Sequence, residues 1–273
     1  MHASENGVKS AMSDITRIHI RDRIPVETHM GTVDDFYVRY LRDVGRALEC
    51  GGVALEALGE RLLDRAADTR NLRRAWDYLA WCGGPAAGPN GIRFEDVDEC
   101  DVWDILRAVR KSLLDGTYTI GPCVRRKTPK PSGTGYRTLK LFNIEDRVVS
   151  RAVHQIVCPL VDAQFDELSF GFRPGLGRTQ ALATALHLAE SEDRHVWVVE
   201  DIKDAFDNVR RDKLLEAIEE CLPNALPLTS LMAHMIGGST GTGIPQGLPL
   251  SPLLLNTHLN HYVDRPWRQM MPG

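Results

Sequence analysis

The stretch HVWVVEDIKDAFDNV, His195 to Val209, decides how the chain is read. A β-branched, apolar run ends in Glu200 and Asp201, and the chain passes at once into a helix-compatible DAFDN. Such runs mark strands buried on both faces, so a buried strand delivering Asp201 at its end is expected. Side chains alternate along a strand, which turns Glu200 away from Asp201 and leaves only one of them for a given site. Taken alone, the same residues also fit a plain strand end followed by a helix capped by Asp207.

Outward from this stretch, GTGIPQGLPLSPLLLNTHLN, Gly241 to Asn260, combines a turn at IPQG, a second turn at LPLSP and an apolar helix. Ser251 is expected as N-cap with Pro252 at the first helical position. A loop and a core helix account for most of it, but not for Gln246, an amide held between Pro245 and Gly247 where a planar group could be contacted.

Upstream, VRRKTPKPSGTGYRTLKLF, Val124 to Phe142, is a basic hairpin with Ser/Gly turn signals between two apolar segments. Arg125, Arg126, Lys127, Lys130, Arg137 and Lys140 meet no acidic residue until Glu145. Two readings stand: a solvated edge whose cations block strand pairing, or a finger that contacts phosphates by releasing their counterions. A half-buried helix from Ile144 to about Phe165 follows.

Before the hairpin, Met1 to about Met30 has no sustained periodicity and reads as a loosely ordered leader. From Asp34 to about Trp81 apolar residues recur at helical spacing, which predicts three amphipathic helices. Cys82 to Gly91 is a Pro/Gly-rich break, and Asp101 to Leu114 restores the helical period.

Composition agrees with a globular chain: 273 residues, 43% hydrophobic, 26% charged and 7% aromatic. No apolar run reaches the roughly 18 residues of a membrane span, and MHASENGVKSAMSD has no apolar core of a signal peptide. The expected compartment is the cytoplasm, with no membrane partner. Six scattered cysteines with no CxxC pair argue against zinc and a disulfide framework. A net charge of -4 gives no global basic field, although polyanion binders often concentrate charge on one face.

SFGFRPG at Ser169 to Gly175, DIKDAFDNV at Asp201 to Val209 and GIPQGLPLSPLLLN at Gly243 to Asn256, in this order and rough spacing, resemble reverse transcriptases of the bacterial group II intron type. The resemblance runs from about Leu72, through LRRAWDYLAWCGGPAAGPNGIRFEDV and RRKTPKPSGTGYRTLKLFNIEDRVV, to the end. It implies template-directed nucleotidyl transfer by two Mg²⁺ ions, which needs carboxylates bridging both cations.

Under that resemblance Asp201 is the first catalytic carboxylate and a metal ligand, and the backbone carbonyl of Ile202 is a further ligand. Phe206 matches the steric gate against a ribose 2′-hydroxyl; a core aromatic is the other reading. Lys203, Asp204 and Ala205 fill the turn whose amides face the triphosphate, and Gln246 and Gly247 match the loop under the incoming nucleotide and template. Arg137 with Lys127 or Lys130 matches phosphate-reaching cations of the fingers, while Arg125, Arg126 and Arg173 fall to the template. Leu176 and Gly177 stand where many relatives carry Arg-Ser, and Leu248 where a smaller residue is common.

No Tyr-x-Asp-Asp, the family's second metal-binding motif, occurs in the sequence. The expectation is therefore an α+β, right-hand polymerase fragment, helix-rich with a small incomplete antiparallel sheet. Its parts are a leader (1–30), a helical region leading into the fingers (31–117), fingers with the basic hairpin (118–192) and an incomplete palm (193–273). Expected partners are an RNA template, a DNA primer, a deoxynucleoside triphosphate (dNTP) and a second polypeptide completing the palm and thumb, without which the chain is inactive. The alternative is a non-catalytic, maturase-like RNA-binding remnant of a mobile element.

Overall fold

The computed structural model describes residues 31–129, 133, 135–191, 193 and 195–270, so the leader and Lys130 lie outside the described residues. The described residues divide into two compact units, one within Asp166–Asp201 and the other formed by Gly31–Phe165 with the residues from Ile202 onward.

In the larger unit, four helices replace the three expected before residue 82: α1 (Gly31–Cys50), α2 (Gly52–Gly59), α3 (Leu62–Ala67) and α4 (Thr69–Cys82). The additional break falls at residues 60–61, between α2 and α3, within the helix expected to carry Leu55 to Leu63. Before α4, Asp68 accepts from the Arg70 backbone N–H at 2.9 Å and caps the helix. α1 buries Phe36, Tyr40, Val44 and Ala47, and α4 buries Leu72, Ala75, Trp76 and Leu79, the i, i+3, i+4 stripes of amphipathic helices. After α5 (Glu99–Leu114) the chain forms the hairpin β1 (Cys123–Pro129) and β2 (Tyr136–Phe142).

The helix after the hairpin, α6 (Ile144–Asp162), corrects the half-buried expectation: it is the central helix, packed against α1, α3, α4 and α5. Its buried polar residues have partners. Gln155 donates to the Asn71 side-chain oxygen at 2.9 Å, and Asn71 donates to the carbonyls of Ala66 (2.9 Å) and Ala152 (3.1 Å). Arg147 donates to the carbonyls of Gly83 (2.6 Å) and Ala86 (3.0 Å), tying the Pro/Gly-rich break to α6; burial lowers its pKa.

The remaining helices of this unit are α8 (Ala205–Asn208), α9 (Arg211–Cys221), α10 (Leu226–Ile236) and α11 (Ser251–Leu259). A π-helical turn, Asn260–Asp264, leads from α11 into α12 (Arg265–Met270). Ser251 is not the N-cap of α11. It is the first helical residue, and its hydroxyl donates to the Pro245 carbonyl at 2.7 Å, bracing the preceding turn.

The smaller unit contains α7 (Arg178–Ser191), and residues 195–201 form no helix or strand. The buried strand expected at 195–201 does not form: Val196 is 89% and Val199 87% exposed. A strand needs a hydrogen-bonding neighbour, and the one sheet among the described residues is β1 with β2. The fold class is otherwise as expected, helix-rich with a small antiparallel sheet.

Candidate nucleotide and template site

The hairpin register pairs Arg125 with Lys140, Lys127 with Thr138 and Pro129 with Tyr136, and between them Arg126 with Leu139 and Thr128 with Arg137. Alternation therefore splits the cations: Arg125, Lys127 and Lys140 share one face, Arg126 and Arg137 the other. Lys127 and Arg137, expected to reach phosphates together, point to opposite sides. Among the described residues none of these five has an ion-pair partner, so their charge is available to a polyanion.

The root of the hairpin is held by a buried carboxylate. Asp146 accepts from the Tyr118 hydroxyl at 2.7 Å and from the Gly121 N–H at 3.2 Å. Burial raises the Asp146 pKa against the lowering effect of these two donors, and burial together with the Asp146 charge pushes Tyr118 upward.

The outer edge of β2 receives the Pro-Gln-Gly turn. The Lys140 N–H donates to the Gln246 carbonyl at 2.7 Å, so the turn adds one rung to the sheet. Gly247 has φ +129°, and a Cβ there would meet the Lys140 carbonyl oxygen at 2.1 Å. Only glycine allows that approach. Gln246 is half-buried beside it.

The same loop is laced to the DAFDNV segment. Ile244 N–H donates to the Phe206 carbonyl at 2.9 Å, Gly243 N–H to Val209 at 2.8 Å, and Arg211 N–H to Gly241 at 3.0 Å. The Arg211 side chain, which no sequence signal marked, clamps the loop by donating to the carbonyls of Gly243 and Gly237, both at 2.7 Å. Phe206 is half-buried and packs against the core.

Asp207 does not cap the short helix. That position belongs to Asp204, in the left-handed conformation at φ 50°, ψ 45°. The N–H groups of Lys203 and Asp204 meet no acceptor among the described residues, and Asn208 fixes the turn by donating to the Lys203 carbonyl at 3.1 Å. Successive N–H groups around a left-handed residue make an anion-binding concavity.

In the smaller unit Arg173 is buried and braces its own loop, donating to the carbonyls of Asp166 (2.7 Å) and Ser169 (2.8 Å). Asp201 is exposed. Among the described residues no three His, Cys, Asp or Glu side chains gather into a possible metal site. Without such a cluster the described residues do not fit a two-ion centre.

A cationic hairpin, a turn with two N–H groups that meet no acceptor among the described residues and a short helix carrying Phe206 are thus joined through one glycine turn. Residues 128–271 match the family described as reverse transcriptase (RNA-dependent DNA polymerase), and the chain belongs to that family.

The chain is 33% identical over 168 residues to Protein YkfC of Escherichia coli (strain K12), a match covering 58% of this chain and 44% of that protein. It is 30% identical over 170 residues to the group II intron-encoded protein LtrA of Lactococcus lactis subsp. cremoris, covering 59% of this chain and 28% of that one. The chain thus spans less than half the length of these curated relatives, and the resemblance to the group II intron type holds. A chain of a partial Cas6-RT-Cas1–Cas2 complex shares the fold, with a TM-score of 0.50, 22% identity and coverage of 75% of this chain and 34% of that chain. Among the described residues no helix is long and apolar enough to cross a membrane.

Proposed function

We propose that the chain forms the fingers and the leading part of the palm of an RNA-directed DNA polymerase, holding an RNA template, a DNA primer and a dNTP. The supporting observation is the backbone lacing of β2, the 203–209 segment and the Gln246–Gly247 turn within one unit. In this reading the free amides at Lys203 and Asp204 receive the triphosphate, Phe206 sets the sugar preference, and Gln246 with Gly247 supports the nucleotide and template. Arg125, Arg126, Lys127 and Arg137 hold phosphates from the two faces of the hairpin, and Arg173 acts on the template path through the loop it braces.

Divalent ions, Mg²⁺ by the hardness of the oxygen ligands, supply the charge neutralisation for nucleotidyl transfer in such enzymes. One carboxylate cannot position two ions, so we read these 273 residues as catalytically incomplete and completed by further polypeptide. Six cysteines, none in a disulfide among the described residues, fit a reducing compartment, the cytoplasm. A non-catalytic RNA-binding module is the second reading, favoured by the missing carboxylate cluster among the described residues.

The test is binding to a DNA-primed RNA template across a salt series. Replacing Arg125, Arg126 and Lys127 together by Ala should weaken binding and flatten its salt dependence. Unchanged affinity and slope would remove the phosphate-holding role of the hairpin.

A further inference from the structure

One exposed aromatic on the hairpin has no part in the function proposed above. Tyr136, the first residue of β2, is 66% exposed and has no ring or hydrogen-bond partner among the described residues. Its cross-strand neighbour is Pro129, also exposed, so no side chain of the sheet covers the ring.

The register places it with the cations. On one face of the hairpin, Phe142 opposite Cys123 comes first, then Lys140 opposite Arg125, then Thr138 opposite Lys127, then Tyr136 opposite Pro129. Phe142 is buried, so this is the face that turns into the body at the hairpin's root. From there outward it presents two ranks of unpaired cations and, about 7 Å beyond the second, an aromatic ring. A tyrosine at a strand start is also ordinary β-propensity. That reading explains its presence in β2 but not a bare ring at the end of a cationic face.

We propose that Tyr136 is a stacking platform for an unpaired base of the RNA template, with Arg125, Lys127 and Lys140 holding the neighbouring phosphates. The proposal rests on the template-holding reading and deepens it. Alternation of cations along the backbone with an aromatic for a base is how proteins hold single strands, and it discriminates against duplex, whose bases have no free face. The ring tolerates any base, because every base has a π-face.

The experiment is fluorescence anisotropy with the full chain, using one labelled single-stranded RNA and the same sequence as a blunt RNA duplex, across a salt series. Tyr136→Ala should lose about tenfold in affinity for the single strand, from stacking energies typical of one base. Its duplex affinity, salt slope and melting temperature should stay those of the wild type, and Tyr136→Phe should retain single-strand binding. Arg125→Ala should instead lower the salt slope by about 0.7, the loss of one phosphate contact. If the wild type binds the single strand and Tyr136→Ala matches it, or loses equally on duplex, the platform falls while the template reading stands. A wild type that binds neither form overturns both.

Discussion

Replacing Gly247 by Ala should unlatch the Pro-Gln-Gly turn from the hairpin. The new Cβ would lie 2.1 Å from the Lys140 carbonyl oxygen and 3.1 Å from its carbon, so the turn must withdraw by more than 1 Å to reach ordinary contact. The Lys140 N–H to Gln246 bond, now 2.7 Å, does not survive that movement. Its loss costs about 0.5–1.5 kcal/mol, and the positive φ adds roughly 1–2 kcal/mol for any residue with a Cβ. A total of about 1.5–3.5 kcal/mol corresponds to a urea midpoint lowered by about 1 M. Gly84→Ala is the control, because its φ is +77° but nothing lies within 4 Å of its Cβ. It should show the strain component alone. Amide hydrogen exchange locates the effect: in Gly247→Ala the Lys140 amide should lose its protection while those of α6 keep theirs. Equal midpoints for the two variants, with Lys140 still protected, would refute the close-approach reasoning.

Further outcomes follow from other contacts. Tyr118→Phe removes the hydroxyl that donates to buried Asp146 at 2.7 Å and should destabilise the chain by about 1.5–3 kcal/mol, measured by denaturant titration; a change within error would contradict the buried-carboxylate anchor. Burial first, and the Arg151 guanidinium second, pull the His154 pKa from 6.5 down to about 3. Below pH 6.5 the unfolded chain takes up a proton that the folded chain refuses. The contribution is thus fully present above 6.5 and is lost as pH falls toward 3, by at most about 1.4 kcal/mol per unit. His154→Gln should flatten that acid limb, and an unaltered limb would exclude His154 as its source. In a chain completed with a relative's remaining palm, Phe206→Ala should raise ribonucleotide over deoxyribonucleotide incorporation; unaltered discrimination in a folded variant would leave Phe206 a core residue only.

Local patterns were legible where neighbouring residues decide the structure. The basic hairpin appears where its cations and turn residues place it, and the split of those cations between faces follows once the register is known. The register itself depends on the turn, which composition does not specify. The run Val196 to Val199 was misread because β-branched residues report a preference for pairing, whereas a strand needs a partner from elsewhere. The burial of Asp146, Arg147 and Gln155 was not legible because their partners are backbone carbonyls, an N–H, and the side chains of Tyr118 and Asn71, which no helical periodicity reveals. Pro245, Gln246 and Gly247 were recognisable as a special turn. That Gly247 meets β2, and that Arg211 clamps the turn, could not be read without the fold.

Primer extension tests the central claim most directly: that these residues hold template and nucleotide but lack the carboxylates to join them. The 273-residue chain, alone and then mixed with a fragment carrying a relative's second aspartate motif and thumb, is given an RNA template, a labelled DNA primer, dNTPs and Mg²⁺. The chain alone should not extend the primer, the mixture should, and Asp201→Asn should abolish extension without preventing assembly. Robust extension by the isolated chain, free of contaminating polymerase and lost on Asp201→Asn, would contradict the claim that its own carboxylates are insufficient.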